Sequence, residues 1–144
     1  MNDSYVLPDG VLPVVPDPEG LDARFWEGTR AEEIWIQQCN ACSNFQWLPE
    51  WVCHHCNSFD LGFSRVAPSG TIYSWERVWH PSTPALASHC PFVVVVIELD
   101  SAPGIRLVGN LVGDSRQSVS IGTPVEAVFE HHSDYTLVQW KPRT

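Results

Sequence analysis

Apolar and polar positions change period once along the chain. Around residues 21–33, Leu21, Phe25 and Trp26 fall on one side while Arg24, Glu27, Arg30, Glu32 and Glu33 stay polar. This spacing predicts a short helix from about Ala23 to Glu32, with Asp22 placed to cap it. Ile34 to Gln38 then reads as a strand leading into Cys39, and after residue 66 the pattern is wholly β. Thr71 to Trp79 alternates, with Ile72, Ser74, Glu76 and Val78 on one face and Tyr73, Trp75, Arg77 and Trp79 on the other. The near-continuous apolar run Phe92 to Leu99 predicts a strand buried on both faces. Ile105 to Val112, Val125 to Glu130 and Tyr135 to Trp140 are the remaining strands, and Val125, Ala127 and Phe129 share one face. Ala102-Pro103-Gly104, Gly113 to Gln117 and His131 to Asp134 are the turns between them. Five such strands in roughly 70 residues suit a small, closed or partly open barrel of the OB type.

The first twenty residues hold Pro8, Pro13, Pro16 and Pro18. Neither a helix nor a central strand accommodates that density, so an extended arm is expected there. The predicted division is therefore an arm over 1–20, a helix with a cysteine-bearing segment over 21–66, and the barrel over 67–144.

Cys39, Cys42, Cys53 and Cys56 have the spacing C-x2-C-x10-C-x2-C. Each pair forms a knuckle that aims two thiolates at one point, and the spacer is long enough for a hairpin that brings the knuckles together. Four soft thiolates in tetrahedral array select zinc, or iron as in rubredoxin, and zinc is the preferred reading. An all-thiolate shell has no open position for water, so the metal is expected to be structural. The predicted fold is thus mostly β, an N-terminal helix and zinc ribbon followed by a five-stranded OB-fold barrel. His54 and His55 lie inside the second knuckle and read as exposed loop residues, because four cysteines already complete the shell.

Charge narrows the function. The net charge is −9 with only eight basic residues, so the basic footprint that a nucleic acid requires is not visible. A single-stranded nucleic-acid-binding zinc-ribbon/OB module is the rival reading, and strong salt-sensitive DNA binding would revive it. No apolar run reaches the roughly 20 residues that span a bilayer, and Met1 to Val6 lacks the features of a signal peptide, so neither membrane insertion nor export is expected. Paired cysteines of this kind indicate metal binding in a reducing compartment, with the cytoplasm as default location.

No nucleophile–base–orienter set is apparent. His80, His89, His131 and His132 read as loop residues, and Cys90 as a small buried apolar side chain. Arg77 and Arg106 lie on predicted strands. Two readings are open for them: facing a ligand groove, where guanidinium groups suit phosphates, or pairing with Glu76, Glu98 or Asp100 on a wet face.

The order of motifs also resembles a family. Phe25-Trp26-Glu27-Gly28, a strand ending in Gln38-Cys39, then Cys42, Pro49, Cys53 and Cys56 are similar to the rubredoxin-like ribbon of the domain-of-unknown-function 35 family. Ser69-Gly70-Thr71-Ile72-Tyr73-Ser74, Pro91-Phe92-Val93-Val94, Glu98-Leu99, Gly109-Asn110-Leu111-Val112 and Ile121-Gly122-Thr123-Pro124-Val125 resemble its acyl-CoA-associated OB-fold. The resemblance covers about residues 20–140. It implies an accessory subunit in a hetero-oligomer with a thiolase-like protein, which holds the catalytic residues while acyl-CoA lies at the shared interface, so that the phosphates read for Arg77 and Arg106 would be those of CoA. Retro-aldol cleavage of a steroid side-chain CoA thioester is the preferred reaction. An acyltransferase or a thiolase/hydroxymethylglutaryl-CoA synthase complex is the alternative. Rubredoxin knuckles usually carry Gly after the second cysteine of each pair, and here Ser43 and Asn57 stand there.

Overall fold

The computed structural model describes Val6, Pro8 and residues 15–144. The expected arm therefore lies largely outside the described residues. Its described end is a turn, closed by the Gly20 N–H donating to the Asp17 carbonyl at 3.0 Å.

Helix α1 spans Ala23–Arg30. Its apolar side buries Phe25, whose ring centroid lies 4.7 Å from that of Trp47. Asp22 makes no side-chain cap. Its carboxylate instead accepts the Trp26 indole N–H at 2.8 Å, because a half-buried indole needs an acceptor and this one is a turn away. The helix ends at Arg30, short of the expected Glu32, and Glu32 takes a left-handed φ of 59°. Gly28 is required by close packing: a Cβ there would come within 2.5 Å of the Trp35 ring.

The first sheet has the order β2-β1-β3, from β1 (Ile34–Cys39), β2 (Phe45–Gln46) and β3 (Leu61–Val66). Both β2 and β3 run antiparallel to β1. The pattern reading missed β3, since only Val66 of its six residues is buried and the signal of alternation is weak.

The second sheet is five-stranded, in the order β6-β5-β4-β7-β8, from β4 (Ser69–Val78), β5 (Phe92–Leu99), β6 (Arg106–Asn110), β7 (Pro124–His131) and β8 (Thr136–Pro142). A short 3-10 helix, Pro84–His89, lies between β4 and β5. The two edge strands curl round to meet. Leu111 bridges Trp140 in parallel, and the Val112 N–H donates to the Trp140 carbonyl at 2.8 Å. Gly109 allows that crossing, because a Cβ there would lie 2.6 Å from the Val138 carbonyl oxygen and 2.9 Å from the Trp140 ring. The result is the expected mostly β architecture with a nearly closed five-stranded barrel.

Two strand readings need correction. β5 is buried throughout on one face, at Val93, Val95, Ile97 and Leu99, while on the other only Phe92 is buried and Val94, Val96 and Glu98 are half-buried. A run of β-branched residues does not report which side meets solvent. In β4 the register shifts between Ile72 and Ser74. This bulge at Tyr73 puts Trp75 and Arg77 opposite the core-facing Val95 and Val93, on the same side as Ile72 rather than across from it.

One apolar core joins the two sheets. Phe25, Ile34, Ile36 and Val66 from the first unit pack in one cluster with Ile72, Val95, Ile97, Leu107, Val125 and Trp140 from the barrel. The base of the ribbon is thus anchored in the barrel's interior, and its cysteine-bearing tip projects beyond it. Among the described residues no helix is long and apolar enough to cross a membrane.

Candidate metal centre

The two knuckles are near copies of each other. In the first, the Ser43 N–H donates to the Cys39 carbonyl at 2.9 Å; in the second, the Asn57 N–H donates to the Cys53 carbonyl at 3.0 Å. Ser43 and Asn57 both take the left-handed backbone, with φ of 64° and 61°. That conformation is where glycine ordinarily stands in such turns.

The sulfurs of Cys39, Cys42, Cys53 and Cys56 all lie within 4.8 Å of one another. Cys39 Sγ is 3.7 Å from Cys56 Sγ, and Cys42 Sγ is 3.6 Å from Cys53 Sγ. These separations are far too long for disulfides. A zinc–sulfur bond of about 2.3 Å gives a tetrahedron whose sulfur–sulfur edges are about 3.8 Å, which these two edges match. Cys39 and Cys53 are buried and Cys56 is exposed. The Asn44 side-chain amide, 3.3 Å from Cys42 Sγ, helps hold that thiol down at about 6. At Cys56 the Ser58 backbone N–H favours the thiolate, but desolvation and the three neighbouring sulfurs outweigh it and push the thiol up to about 12. Four anionic sulfurs do not share this space without a cation, and a metal supplies it. The His55 N–H donates to Cys53 Sγ at 3.4 Å, adding a hydrogen bond that spreads thiolate charge. The His54 and His55 side chains themselves are exposed.

A pair of buried glutamines holds the loop that delivers the second knuckle. Gln46 Nε2 donates to Gln37 Oε1 at 2.7 Å and to the Val52 carbonyl at 3.2 Å, and Gln46 Oε1 accepts the His54 N–H at 3.0 Å. Gln37 accepts the Glu50 N–H and donates to the Glu50 carbonyl, both at 2.9 Å. Sequence reasoning did not single these residues out. The available signal was a glutamine at a strand position whose neighbours are buried.

The two arginines read as phosphate candidates lie apart. Arg106 is opposite Glu98 and Arg77 is opposite Val93, five residues along β5. That is about 17 Å of strand, and the two point to opposite faces, so one phosphate does not meet both. Arg106 pairs with Glu98 at 3.3 Å and lies 3.6 Å over the Tyr73 ring. Arg77 donates to the Ser115 and Gln117 carbonyls in the loop after β6. Two of the histidines read as loop residues are in structured surroundings. His131 ends β7 and bonds Glu32 and Thr136 at 3.0 Å each, and the buried His132 ring stacks on Tyr135 at 4.7 Å with Glu130 3.6 Å away. Cys90 is half-buried rather than buried.

Two small units sharing one core, the first a four-thiolate ribbon and the second a barrel, define a zinc-ribbon/OB-fold protein. Family models agree on both halves. Residues 26–62 match the ChsH2 rubredoxin-like zinc ribbon domain and residues 64–130 match the ChsH2 C-terminal OB-fold domain. The chain belongs to the DUF35 family, and its four close cysteines in a rubredoxin-like ribbon mark a structural zinc site. A solved structure described as an Ltp2-ChsH2(DUF35) aldolase is 33% identical, with a TM-score of 0.76 over 88% of this chain and 98% of that one. A probable enoyl-CoA hydratase alpha subunit from Thermomonospora curvata is 39% identical over 123 residues, 84% of this chain and 37% of that protein. The 3-oxo-4,17-pregnadiene-20-carboxyl-CoA hydratase alpha subunit of Mycobacterium tuberculosis is 30% identical over 139 residues, 94% of this chain and 43% of that protein. The chain thus spans less than half the length of these two curated relatives.

Proposed function

We propose that this chain is a non-catalytic subunit in a hetero-oligomer with a thiolase-fold enzyme that shortens a steroid side chain by retro-aldol cleavage of its CoA thioester. The observation that carries this reading is the likeness to the Ltp2-ChsH2(DUF35) aldolase chain, 98% of which is covered. The metal centre supports a structural role, because four thiolates fill a tetrahedral shell and hold no water for activation. Surface chemistry supports a partner. Trp51 is 75% exposed and Phe59 is 83% exposed, on the ribbon that projects from the shared core, and rings of this size in solvent are characteristic of surfaces covered in an assembly. In this reading the partner holds the reacting groups, and the ribbon and barrel support its fold and border the path of the CoA-linked substrate.

A second reading places the chain beside a hydratase in the same degradation, and the names of both curated relatives favour it. Co-expression separates the two. The chain is produced together with a candidate thiolase-fold protein, and the purified complex is given a 3-hydroxyacyl-CoA and, separately, an enoyl-CoA. The expected result is co-purification, aldol cleavage by the complex, and no turnover by either chain of comparable purity alone. Turnover by this chain alone would end the accessory reading. Hydration without cleavage, by a complex with a hydratase, would transfer the proposal to the second one.

A further inference from the structure

Strand β4 runs on after its neighbour stops. Its pairing with β7 ends at Thr71, and the last backbone bonds on that side join Ile72 to Gly122 and Thr123. From Ser74 to Val78 the strand pairs only with β5. Among the described residues no backbone group bonds the other edge of Tyr73–Val78. An unpaired edge of this length is a ready template for another strand.

The charges beside this edge are unusual for the molecule. Arg24, Arg65, Arg106, Lys141 and Arg143 each have a carboxylate within ion-pair distance. Arg30, Arg77 and Arg116 have none among the described residues, and Arg30 is held elsewhere, donating to the Ser133 carbonyl at 3.3 Å. Arg77 bonds the carbonyls of Ser115 and Gln117, the two neighbours of Arg116, so the two guanidinium-bearing residues are held in one place. The nearby Asp114 carboxylate accepts the Arg116 backbone N–H at 2.9 Å and keeps its charge, so this side of the strand carries two cations against one anion. Each cation lies over an exposed ring: Arg77 is 5.4 Å from Trp75, and Arg116 is 5.0 Å from Trp79. In a chain of net charge −9, two guanidinium groups outside any ion pair, against exposed tryptophans, form a local positive patch. Glu76, opposite Val94, lies on the other face of the strand. An incoming strand therefore meets positive charge on one face and a carboxylate on the other.

We propose that the Tyr73–Val78 edge of β4 takes an extended segment of the partner enzyme as an added strand, with acidic residues at alternate positions facing Arg77 and Arg116. This rests on the accessory-subunit reading and assigns its contact. Backbone hydrogen bonds hold the segment, Trp75 and Trp79 cover its side chains, and the alternation sets register. The bulge at Tyr73 and the charges of Glu76 and Arg77 discourage pairing with an arbitrary strand.

The test uses the zinc-loaded full chain and a labelled, acetylated peptide that alternates Thr and Glu. Anisotropy at low salt is expected to show binding of this peptide and not of its Thr/Lys counterpart. Hydrogen exchange is expected to slow at amides within 73–78. Arg116→Glu, on an exposed loop, is expected to keep its metal content and to weaken the acidic peptide at least about tenfold. Equal behaviour of the two peptides, absence of binding, protection elsewhere, or indifference to Arg116→Glu would each overturn the proposal. Arg116→Glu that still co-purifies with the thiolase-fold protein at wild-type yield overturns this edge as the contact and leaves the accessory role standing. Failure of the wild-type chain to co-purify removes the accessory role itself.

Discussion

The ribbon tip and the barrel solve the same problem with different means. The barrel closes around Ile72, Val93, Val95, Ile97, Leu99, Val125 and Trp140, all with 2% or less of their surface exposed, so apolar burial stabilises it directly. In residues 39–60 the buried apolar side chains are Pro49 and the thiolate-set members Cys39 and Cys53, and only Phe45 and Trp47, both half-buried, reach the apolar core. What holds the tip is a metal and a network of amide hydrogen bonds around Gln37 and Gln46. A segment too small to bury a core depends on metal ligation, whereas a closed sheet does not. The shared cluster at Ile34, Ile36 and Val66 marks where one regime gives way to the other.

The largest effect should come from breaking the tip. Cys39→Ser, or a strong chelator on the wild type, removes a ligand set whose metal contributes on the order of 10 kcal/mol in comparable small sites. The expected outcome is loss of the bound zinc by elemental analysis and fast amide exchange through 39–60. Amides of β5 stay protected, because the barrel core does not include the tip. If β5 loses protection in step with the tip, the separation of the two regimes is wrong.

The reciprocal experiment is Gly109→Val. A side chain there meets the Val138 carbonyl and the Trp140 ring, both belonging to the strand that closes the barrel. Overpacking of this kind costs about 3 kcal/mol. The melting temperature should fall and the β6–β8 contact should open, while zinc stays at one per chain.

How far the sequence disclosed these two regions follows from their physics. The barrel strands were legible because apolar alternation repeats over five or more residues, and the knuckles because their ligands are chemically unmistakable. β3 escaped notice because it pairs with β1 along its whole length while burying only Val66. The face assignment of β4 failed at Tyr73, since one extra residue in a strand inverts everything after it and no residue type announces a bulge. Asp22 was read as a backbone cap, and a nearby indole took it instead. The glutamine network and the anchoring of Arg77 depend on partners that no local pattern encodes, whereas the Arg106–Glu98 pair lies within one hairpin and is one of the partners the sequence offers.

A milder break at the tip probes the network instead of the metal. Gln46→Leu removes the acceptor of the His54 N–H and the donors to Gln37 and Val52. Leaving such buried groups unpaired costs about 1–3 kcal/mol. Zinc should still bind, but a competing chelator should remove it faster than from the wild type, while the unfolding of the barrel is little changed. Unaltered zinc release would show that the glutamines do not brace the second knuckle.

The finest distinction lies within the tip, between its two similar turns. Ser43 and Asn57 have almost the same left-handed φ, 64° and 61°. Asparagine enters that region several-fold more readily than most residues, and serine does not share the advantage. The Ser43 carbonyl accepts from Gln38 Nε2 at 2.8 Å, a bond that glycine would keep because it involves only the backbone of residue 43. Ser43→Gly should therefore stabilise the ribbon by about 0.5–1 kcal/mol, offset in part by the greater freedom of the unfolded chain, and Asn57→Gly should gain less. Chelator-resistance midpoints for the two variants measure the difference. Equal gains would mean that the backbone strain, and not the residue's tolerance of it, governs both knuckles.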